Sequence, residues 1–489
     1  MRKSGILLAV SSLPSPYGIG DFGPQAYRWL RLLKKAGVKA WQVLPLNPLG
    51  YGNSPYQPYS SNAMDELYLS LDLLKKDQLI KTLKPFQKQS TSVQYDAVRK
   101  FKSTYLQTAF QAFKPNRAYQ QFIQQNSWVR QYAIFITFKK LNQLRLWTEW
   151  PKQFKEYGQK PTKDLSAFEP SIAYEMFLQF KLFEQWSALQ QFALKLGIEL
   201  IGDIPIYVGI DSDDVWFNQD QFLLNADGNP THIAGVPPDY FSKTGQRWGN
   251  PLYRWDKMEK DGFQFWLNRL RYNATLFDTI RIDHFRGFDT YWKIPASCPT
   301  AVEGAWIEAP GHALFHALRH AYPDLNIIAE DLGDLRPEVL ALRDHFQLPG
   351  MKIIQFVIEL NPSRQDVNQQ PYLTTSHAVA YTGTHDNQTT RGWYESLSSQ
   401  AQKILEQFLI MKGLKKDSIA QRMVTYTLLS LADLAVIPLQ DILELDDRAR
   451  MNTPGTVGSP NWEWKLVDFQ SFIEKIPSLK KLIKQTKRA

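Results

Sequence analysis

The 489-residue sequence has a single cysteine, Cys298, and no long run of apolar residues. One cysteine cannot form an internal disulfide, and no set of cysteine and histidine residues has zinc-finger spacing. No run approaches the roughly 18 apolar residues that cross a bilayer, and the apolar stretch near the N-terminus is too short for a signal peptide. These absences exclude disulfide-rich secreted proteins and membrane proteins, and they predict a soluble, cytoplasmic protein.

The sequence also lacks a strong excess of one charge. It has 57 Lys and Arg residues and 48 Asp and Glu residues, which gives a net charge of +9. Residues 470–489 account for +5 of this charge, with six basic residues and one acid. No nucleic-acid-binding motif accompanies the excess. We interpret it as a solvated basic surface and predict no nucleic-acid and no membrane partner.

Short apolar runs that alternate with helical patterns dominate the rest of the sequence. Eight runs end in polar residues or glycine, as buried parallel strands do, at 5–10, 40–46, 198–208, 279–288, 326–333, 351–356, 378–386 and 434–443. Helical patterns fall at 25–36, 171–196, 263–277, 313–320, 337–346, 399–411 and 417–431. This order predicts an α/β fold, a (β/α)8 TIM barrel. A doubly wound sheet would instead show a glycine-rich phosphate turn, and none follows any of the runs.

Two connections are too long for simple crossovers, although we expect residues 1–489 to form one catalytic barrel domain. Residues 47–196 contain further helical patterns at 93–113 and 117–144, which predict an inserted helical subdomain. Residues 209–262 are rich in Gly, Pro, Asn, Asp and aromatic residues, with little periodicity. We expect this second stretch to be a lid or a substrate-binding loop.

Acidic residues stand at the carboxyl ends of four predicted strands, namely Asp203, Asp283, Glu330 and Asp386. Barrel enzymes carry their catalytic residues on this rim. A single buried acid is often a structural member of an ion pair, but four acids converging from four strands are hard to explain in that way. We therefore expect an active site at this end of the barrel.

Two carboxylates with different roles are the minimal set for glycoside chemistry. Arg281 lies two residues before Asp283 on the same strand face, where it would hold that carboxylate ionised and oriented, as a nucleophile requires. One member of the Glu330–Asp331 pair, if placed beside Asp283, would keep its proton through like-charge repulsion, as a general acid requires. A retaining mechanism predicts about 5–5.5 Å between the Asp283 and Glu330 carboxyl groups.

Aromatic residues concentrate in the loops after the second and third strands, at Tyr51, Tyr56, Tyr59, Tyr240, Phe241, Trp248, Tyr253 and Trp255. Sugar rings present C–H faces that stack on aromatic rings, although most aromatic residues in a protein pack in its core. His385 and Asp386 fit the binding of sugar hydroxyl groups. The alternative for His385 is that it caps backbone groups at a strand end.

Long, ungapped motifs span nearly the whole chain, at 12–20, 41–46, 54–57, 234–241, 245–253, 281–288, 329–333, 381–387 and 449–455. Together they resemble 4-α-glucanotransferases of the amylomaltase type, glycoside hydrolase family seventy-seven. The resemblance implies transfer of a 1,4-α-glucan segment to the 4-hydroxyl of an acceptor glucan or glucose, through a glucosyl-enzyme intermediate and with retained configuration. It implies maltooligosaccharides and α-1,4-glucans as partners, and neither a cofactor nor a metal.

The same resemblance assigns roles to individual residues. It implies Asp283 as the nucleophile, Glu330 as the acid/base and Asp386 as the stabiliser of the transition state. It further implies a set of substrate-binding residues, namely Arg281, His385, Asp203, Tyr56, Trp248 and Asn452.

Three alternatives stay open at this point. An α-amylase-type retaining hydrolase would use the same carboxylates, but water would resolve its intermediate. A metal-dependent barrel enzyme could hold Mg²⁺ on the strand-end acids, but it would need a lysine or histidine base on an adjacent strand. A non-catalytic glucan-binding protein would need aromatic residues and amides without the paired acids.

Overall fold

A computed structural model describes residues 2–86, 90–161, 163–238, 242–358, 360 and 375–489. Strands are numbered along the chain, and eight parallel ones close into a barrel: β1 (Lys3–Leu7), β2 (Ala40–Gln42), β3 (Glu199–Ile204), β6 (Thr279–Ile282), β9 (Ile327–Ala329), β10 (Gly350–Ile353), β11 (Ala378–Tyr381) and β12 (Leu434–Pro438). Each overlaps one of the eight predicted runs, and β12 pairs with β1 to complete the ring. The predicted TIM barrel is confirmed.

The other four strands form a separate antiparallel sheet in the order β5-β4-β7-β8: β4 (His232–Val236), β5 (Gln246–Pro251), β7 (Thr290–Pro295) and β8 (Ala305–Glu308). Two of them lie within 209–262, where the sequence predicts mainly irregular structure. The period-two signal is weak there, because β5 alternates no apolar residues and Gly235 interrupts β4. Tyr240 and Phe241, two of the loop aromatic residues for which sugar binding and core packing were both open, lie outside the described residues.

Helices occupy the connections between the strands. Those in the described part of the chain are α1 (Pro24–Ala36), α2 (Leu71–Lys76), α3 (Tyr95–Ala112), α4 (Arg117–Gln125), α5 (Trp128–Leu141), α6 (Lys152–Lys155), α7 (Glu169–Leu196), α8 (Asp213–Phe217), α9 (Trp255–Lys260), α10 (Gln264–Leu276), α11 (Gly311–Ala321), α12 (Pro337–His345), α13 (Ile354–Val357), α14 (Thr390–Ser396), α15 (Ser399–Met411), α16 (Ile419–Leu429), α17 (Leu439–Ile442) and α18 (Gln470–Gln485). Within the described ranges, none of these helices combines the length and apolar character needed to span a bilayer.

The helix predicted over 117–144 is interrupted, which corrects the sequence prediction. Helix α4 ends before Asn126 and α5 begins at Trp128. The Asn126 side chain donates to the Phe122 carbonyl oxygen at 2.9 Å. Asparagine side chains compete in this way with backbone hydrogen bonds, and they favour helix ends over helix interiors.

Helices α1 and α7, which precede barrel strands β2 and β3, both end at a glycine. Gly37 follows α1 with φ of 84°, and Gly197 follows α7 with φ of 69°. This left-handed conformation ends a helix and is readily adopted by glycine. Gly37 lies three residues before β2, and Gly197 lies two residues before β3. These turns therefore set where the two strands begin.

The basic C-terminal segment, interpreted from the sequence as solvated surface, is a helix that packs one apolar face while most of its lysines are exposed. Helix α18 buries Phe472, Ile476 and Leu479, and Phe472 packs against Trp29 of α1 with 4.8 Å between ring centroids. Beyond the helix, buried Arg488 donates to the carbonyl oxygens of Leu428 at 2.7 Å and Lys3 at 2.9 Å. Part of the positive charge therefore supports the start of β1.

Candidate active site

The predicted strand-end acids converge because their strands are neighbours in the barrel. Strand β6 lies between β3 and β9, and Asp203 of β3 pairs in register with Arg281 of β6. Asp283 directly follows β6, and Glu330 directly follows β9. Asp386 lies in the loop beyond β11.

Arg281 joins two of these acids through one buried guanidinium group. Its Nη1 donates to both carboxylate oxygens of Asp203 at 2.7 Å, and its Nη2 donates to Oδ1 of Asp283 at 2.9 Å. Burial opposes the charged form, but the carboxylates of Asp203 and Asp283 raise the pKa of Arg281 well above its usual value. The contact fixes Asp283 through Oδ1 and leaves Oδ2 available for chemistry. The guanidinium also takes the position between the two carboxylates that a cation such as Mg²⁺ would need.

Glu330 has the environment of a proton donor. Its Oε2 accepts a hydrogen bond from the backbone N–H of His284 at 2.6 Å, and its Oε1 accepts one from Leu332 at 3.1 Å. Burial and then the negative charge of Asp283 raise the pKa of Glu330 well above its usual value. A carboxyl group that keeps its proton beside an ionised carboxylate can serve as a general acid.

Asp331 is oriented away from this centre. Its side chain is buried, its Oδ1 accepts from the backbone N–H of Met351 at 2.7 Å, and its Oδ2 forms an ion pair with Arg343 of α12. The sequence left open which member of the Glu330–Asp331 pair faces Asp283. The structure gives that position to Glu330 and a structural role to Asp331.

Asp386 is held by a segment remote in sequence. Its Oδ1 accepts from Nδ2 of Asn452 at 2.6 Å, and its backbone oxygen accepts from Arg450 at 2.6 Å. Its Oδ2 lies 3.5 Å from Nε2 of His385. The carboxylate remains 42% exposed, so it can contact a ligand while its orientation is fixed.

Tyr56 connects Asp203 with His385. Its hydroxyl donates to Oδ2 of Asp203 at 2.8 Å. Its ring stacks on His385 with 5.1 Å between centroids and 13° between planes. The ring of Trp248 contacts that of His284 in a T-shaped arrangement, with centroids 4.8 Å apart and 90° between the planes. The structure thus places these predicted residues next to the acids or to their immediate neighbours.

Some features of the centre gave no recognisable signal in the sequence. His284 adopts a left-handed backbone conformation with φ of 54°, which aims its N–H at Glu330. Arg450 lies within a recognised motif, but its contact with the Asp386 backbone depends on the folded loop. Of the two alternatives stated for the loop aromatic residues, packing in the core applies to Tyr253 and Trp255, which are buried, and the Tyr253 hydroxyl donates to the Ile206 carbonyl oxygen.

Comparisons with known proteins show which proteins this chain is similar to. A family profile described as "4-alpha-glucanotransferase", of glycoside hydrolase family 77, matches residues 8–470. Proteins named 4-alpha-glucanotransferase from Thermus thermophilus and Aquifex aeolicus are 41% and 40% identical, and the alignments cover 99% or more of each chain. The solved amylomaltase from Streptococcus agalactiae, in complex with acarbose, has a TM-score of 0.94 at 32% identity over the full length of both chains. The amylomaltase from Corynebacterium glutamicum shares the fold with a TM-score of 0.78 at 19% identity, over all of this chain and 75% of its own.

Proposed function

The chain belongs to the 4-alpha-glucanotransferases of glycoside hydrolase family 77, and on that premise we propose that Asp283 and Glu330 perform its transfer reaction by a retaining double displacement. The observation that carries this assignment is the contrast between the two acids. Arg281 holds Asp283 in place through a contact with its Oδ1 at 2.9 Å, whereas burial and the charge of Asp283 raise the pKa of Glu330 and favour its protonated form. One acid is thus prepared to attack and the other to donate a proton.

In the first step, Oδ2 of Asp283 attacks the anomeric carbon of a 1,4-α-glucan. Glu330 gives its proton to the glycosidic oxygen as the bond to that oxygen breaks, so the leaving segment departs with a free 4-hydroxyl. The product is a glycosyl ester on Asp283 and an ionised Glu330. The reaction needs the two carboxyl groups about 5–5.5 Å apart, and this separation stays a prediction.

In the second step, ionised Glu330 removes the proton from the 4-hydroxyl of an acceptor sugar. The acceptor oxygen attacks the anomeric carbon, and the bond to Asp283 breaks. Two inversions restore the original configuration. A hydrolase would use water in this step, but the relatives' shared name favours a sugar acceptor.

Other groups around the acids are proposed to bind and orient the reacting sugar. Asp386, held by Asn452, would stabilise positive charge that develops at the anomeric centre. His385 would bind hydroxyl groups. Asp203, whose buried side chain accepts from Arg281 and Tyr56, would act by orienting those two residues. Tyr56 and Trp248 present ring faces to the donor chain, since sugar C–H faces pack well on aromatic rings.

The substrates we propose are maltooligosaccharides and longer α-1,4-glucans, with glucose among the acceptors. Incubation with maltotriose alone should yield glucose and maltopentaose in equal amounts at early times, followed by longer oligomers. Chromatography of the products measures this directly, and addition of a chelator should not change the rate. Formation of glucose and maltose without any product longer than maltotriose would contradict transfer and indicate hydrolysis.

Tyr56 offers a test of how Asp203 is held. Tyr56→Phe removes the hydrogen bond to Asp203 but keeps the ring that stacks on His385. Loss of one such bond to a charged group is worth about 1.5–3 kcal/mol, so kcat/KM for maltotriose should fall roughly 10- to 150-fold.

The matched variant is Tyr56→Ala, which also removes the ring. It should lower kcat/KM further than Tyr56→Phe, because both Asp203 and His385 lose a neighbour. Equal kcat/KM values for wild type and Tyr56→Phe would show that the hydroxyl does not orient Asp203 for the reaction.

A further inference from the structure

Three exposed histidines come together on the outer surface of the barrel. His312 and His316 lie one turn apart on α11, and His345 is the last residue of α12. One ligand nitrogen from each ring lies within 4.8 Å of the others. The mechanism uses none of the three.

The packing beneath the rings holds the two helices in this arrangement. Phe346 is buried directly after His345, and its ring centroid lies 4.7 Å from that of His345 and 4.9 Å from that of His316. Helix α11 buries Phe315 against the same ring at 5.5 Å. The three imidazoles therefore project from a shared aromatic core, although each ring is free to turn towards solvent.

We propose that His312, His316 and His345 bind one divalent transition-metal ion such as Zn²⁺. Three imidazole nitrogens at roughly 2.0–2.1 Å, with water in a fourth position, complete a tetrahedral zinc site. The ligand nitrogens lie within 4.8 Å of one another, and rotations of the exposed side chains can bring all three to the zinc–nitrogen distance. Neutral nitrogen ligands select Zn²⁺, Co²⁺, Ni²⁺ or Cu²⁺ over Mg²⁺ and Ca²⁺.

The position of the site suggests a structural effect. Helix α11 precedes β9 and α12 follows it, so an ion shared by both helices would fasten the two connections that flank this strand. An ion that binds only the folded chain stabilises the fold by mass action. The bound ion should therefore raise the melting temperature of the protein.

The test uses the full chain without an affinity tag, freed of metal with a chelator and then dialysed. Calorimetric titration with ZnCl₂ should show one ion per chain, and Co²⁺ should give the visible absorption bands of a tetrahedral site. His316→Ala and His345→Ala should each weaken Zn²⁺ binding by about tenfold or more and, at the same Zn²⁺ concentration, reduce the rise in melting temperature.

Two control variants separate this site from other donors. His320→Ala removes an exposed histidine one turn beyond His316 on the same helix, and Cys298→Ser removes the single thiol. Both should bind Zn²⁺ like the wild type. The proposal fails if the wild type binds no ion, which would leave the rings as surface packing on Phe346. It also fails if His345→Ala keeps full affinity, because binding would then not involve α12.

Discussion

Asp283→Asn is expected to abolish glucan transfer while the protein keeps its fold. An amide oxygen is a far weaker nucleophile than a carboxylate, and the substitution preserves shape and volume. Arg281 also keeps its two contacts with Asp203, so the buried guanidinium is not left without a partner. The loss in kcat should be roughly 10⁴- to 10⁶-fold, as for removal of other catalytic nucleophiles. The initial rate of glucose release from maltotriose measures it.

Two further measurements make this prediction decisive. The melting temperature of Asp283→Asn should stay close to that of the wild type, which separates lost chemistry from lost structure. Mass spectrometry should find no glycosyl adduct on the variant after exposure to an activated glucosyl donor. Retention of more than about one tenth of the wild-type kcat would refute the assignment of the nucleophile.

Glu330→Gln is expected to lower kcat for maltotriose by about 10²- to 10⁴-fold, the usual contribution of a general acid. Glutamine cannot protonate the glycosidic oxygen. An α-maltosyl fluoride donor does not need that proton, because fluoride leaves unaided. The variant should therefore still form the glycosyl ester on Asp283 and accumulate it, and mass spectrometry should detect the added mass. Equal defects with maltotriose and with the fluoride would contradict the role of Glu330 as the acid.

The pH profile gives an independent check on Glu330. Its pKa is raised well above the usual value, first by burial and then by the charge of Asp283. Because the protonated form is the active one in the first step, kcat/KM should fall as pH rises through this raised pKa. The alkaline limb should disappear in Glu330→Gln. Asp331→Asn is the matched control, since it changes the adjacent acid that pairs with Arg343, and it should keep the limb.

The barrel was predictable because its signal is distributed along the chain. All eight barrel strands overlap predicted runs, but several runs extended too far in the carboxyl direction. In 279–288, for example, the strand ends at Ile282, and the aromatic residues beyond it form a short helical turn. Apolar residues in such turns look like strand residues when only the pattern is read. The antiparallel sheet was missed because its strands are partly exposed and carry no regular alternation of apolar and polar residues.

The sequence predicted which residue types form the site and at which strand ends they lie. It did not predict most of the contacts between their side chains. The positions of Asp203, Asp283 and Glu330 follow from the barrel rule. The contact between Asn452 and Asp386 joins distant segments, and the resemblance implied Asn452 as a substrate-binding residue without indicating this contact. The outward orientation of Asp331 depends on Arg343, which lies on the following helix. The histidine cluster was missed for the same reason, because its third member comes from another helix.

The double contact of Arg281 has a consequence for the whole catalytic cycle. When Asp283 becomes an ester, it no longer carries a negative charge, and a guanidinium that depended on it alone would become an isolated cation in a poorly hydrated site. Because Asp203 also neutralises Arg281, local charge balance survives that change. The covalent state then carries little electrostatic penalty. Such a state can persist while the released segment diffuses away and a second saccharide takes its place.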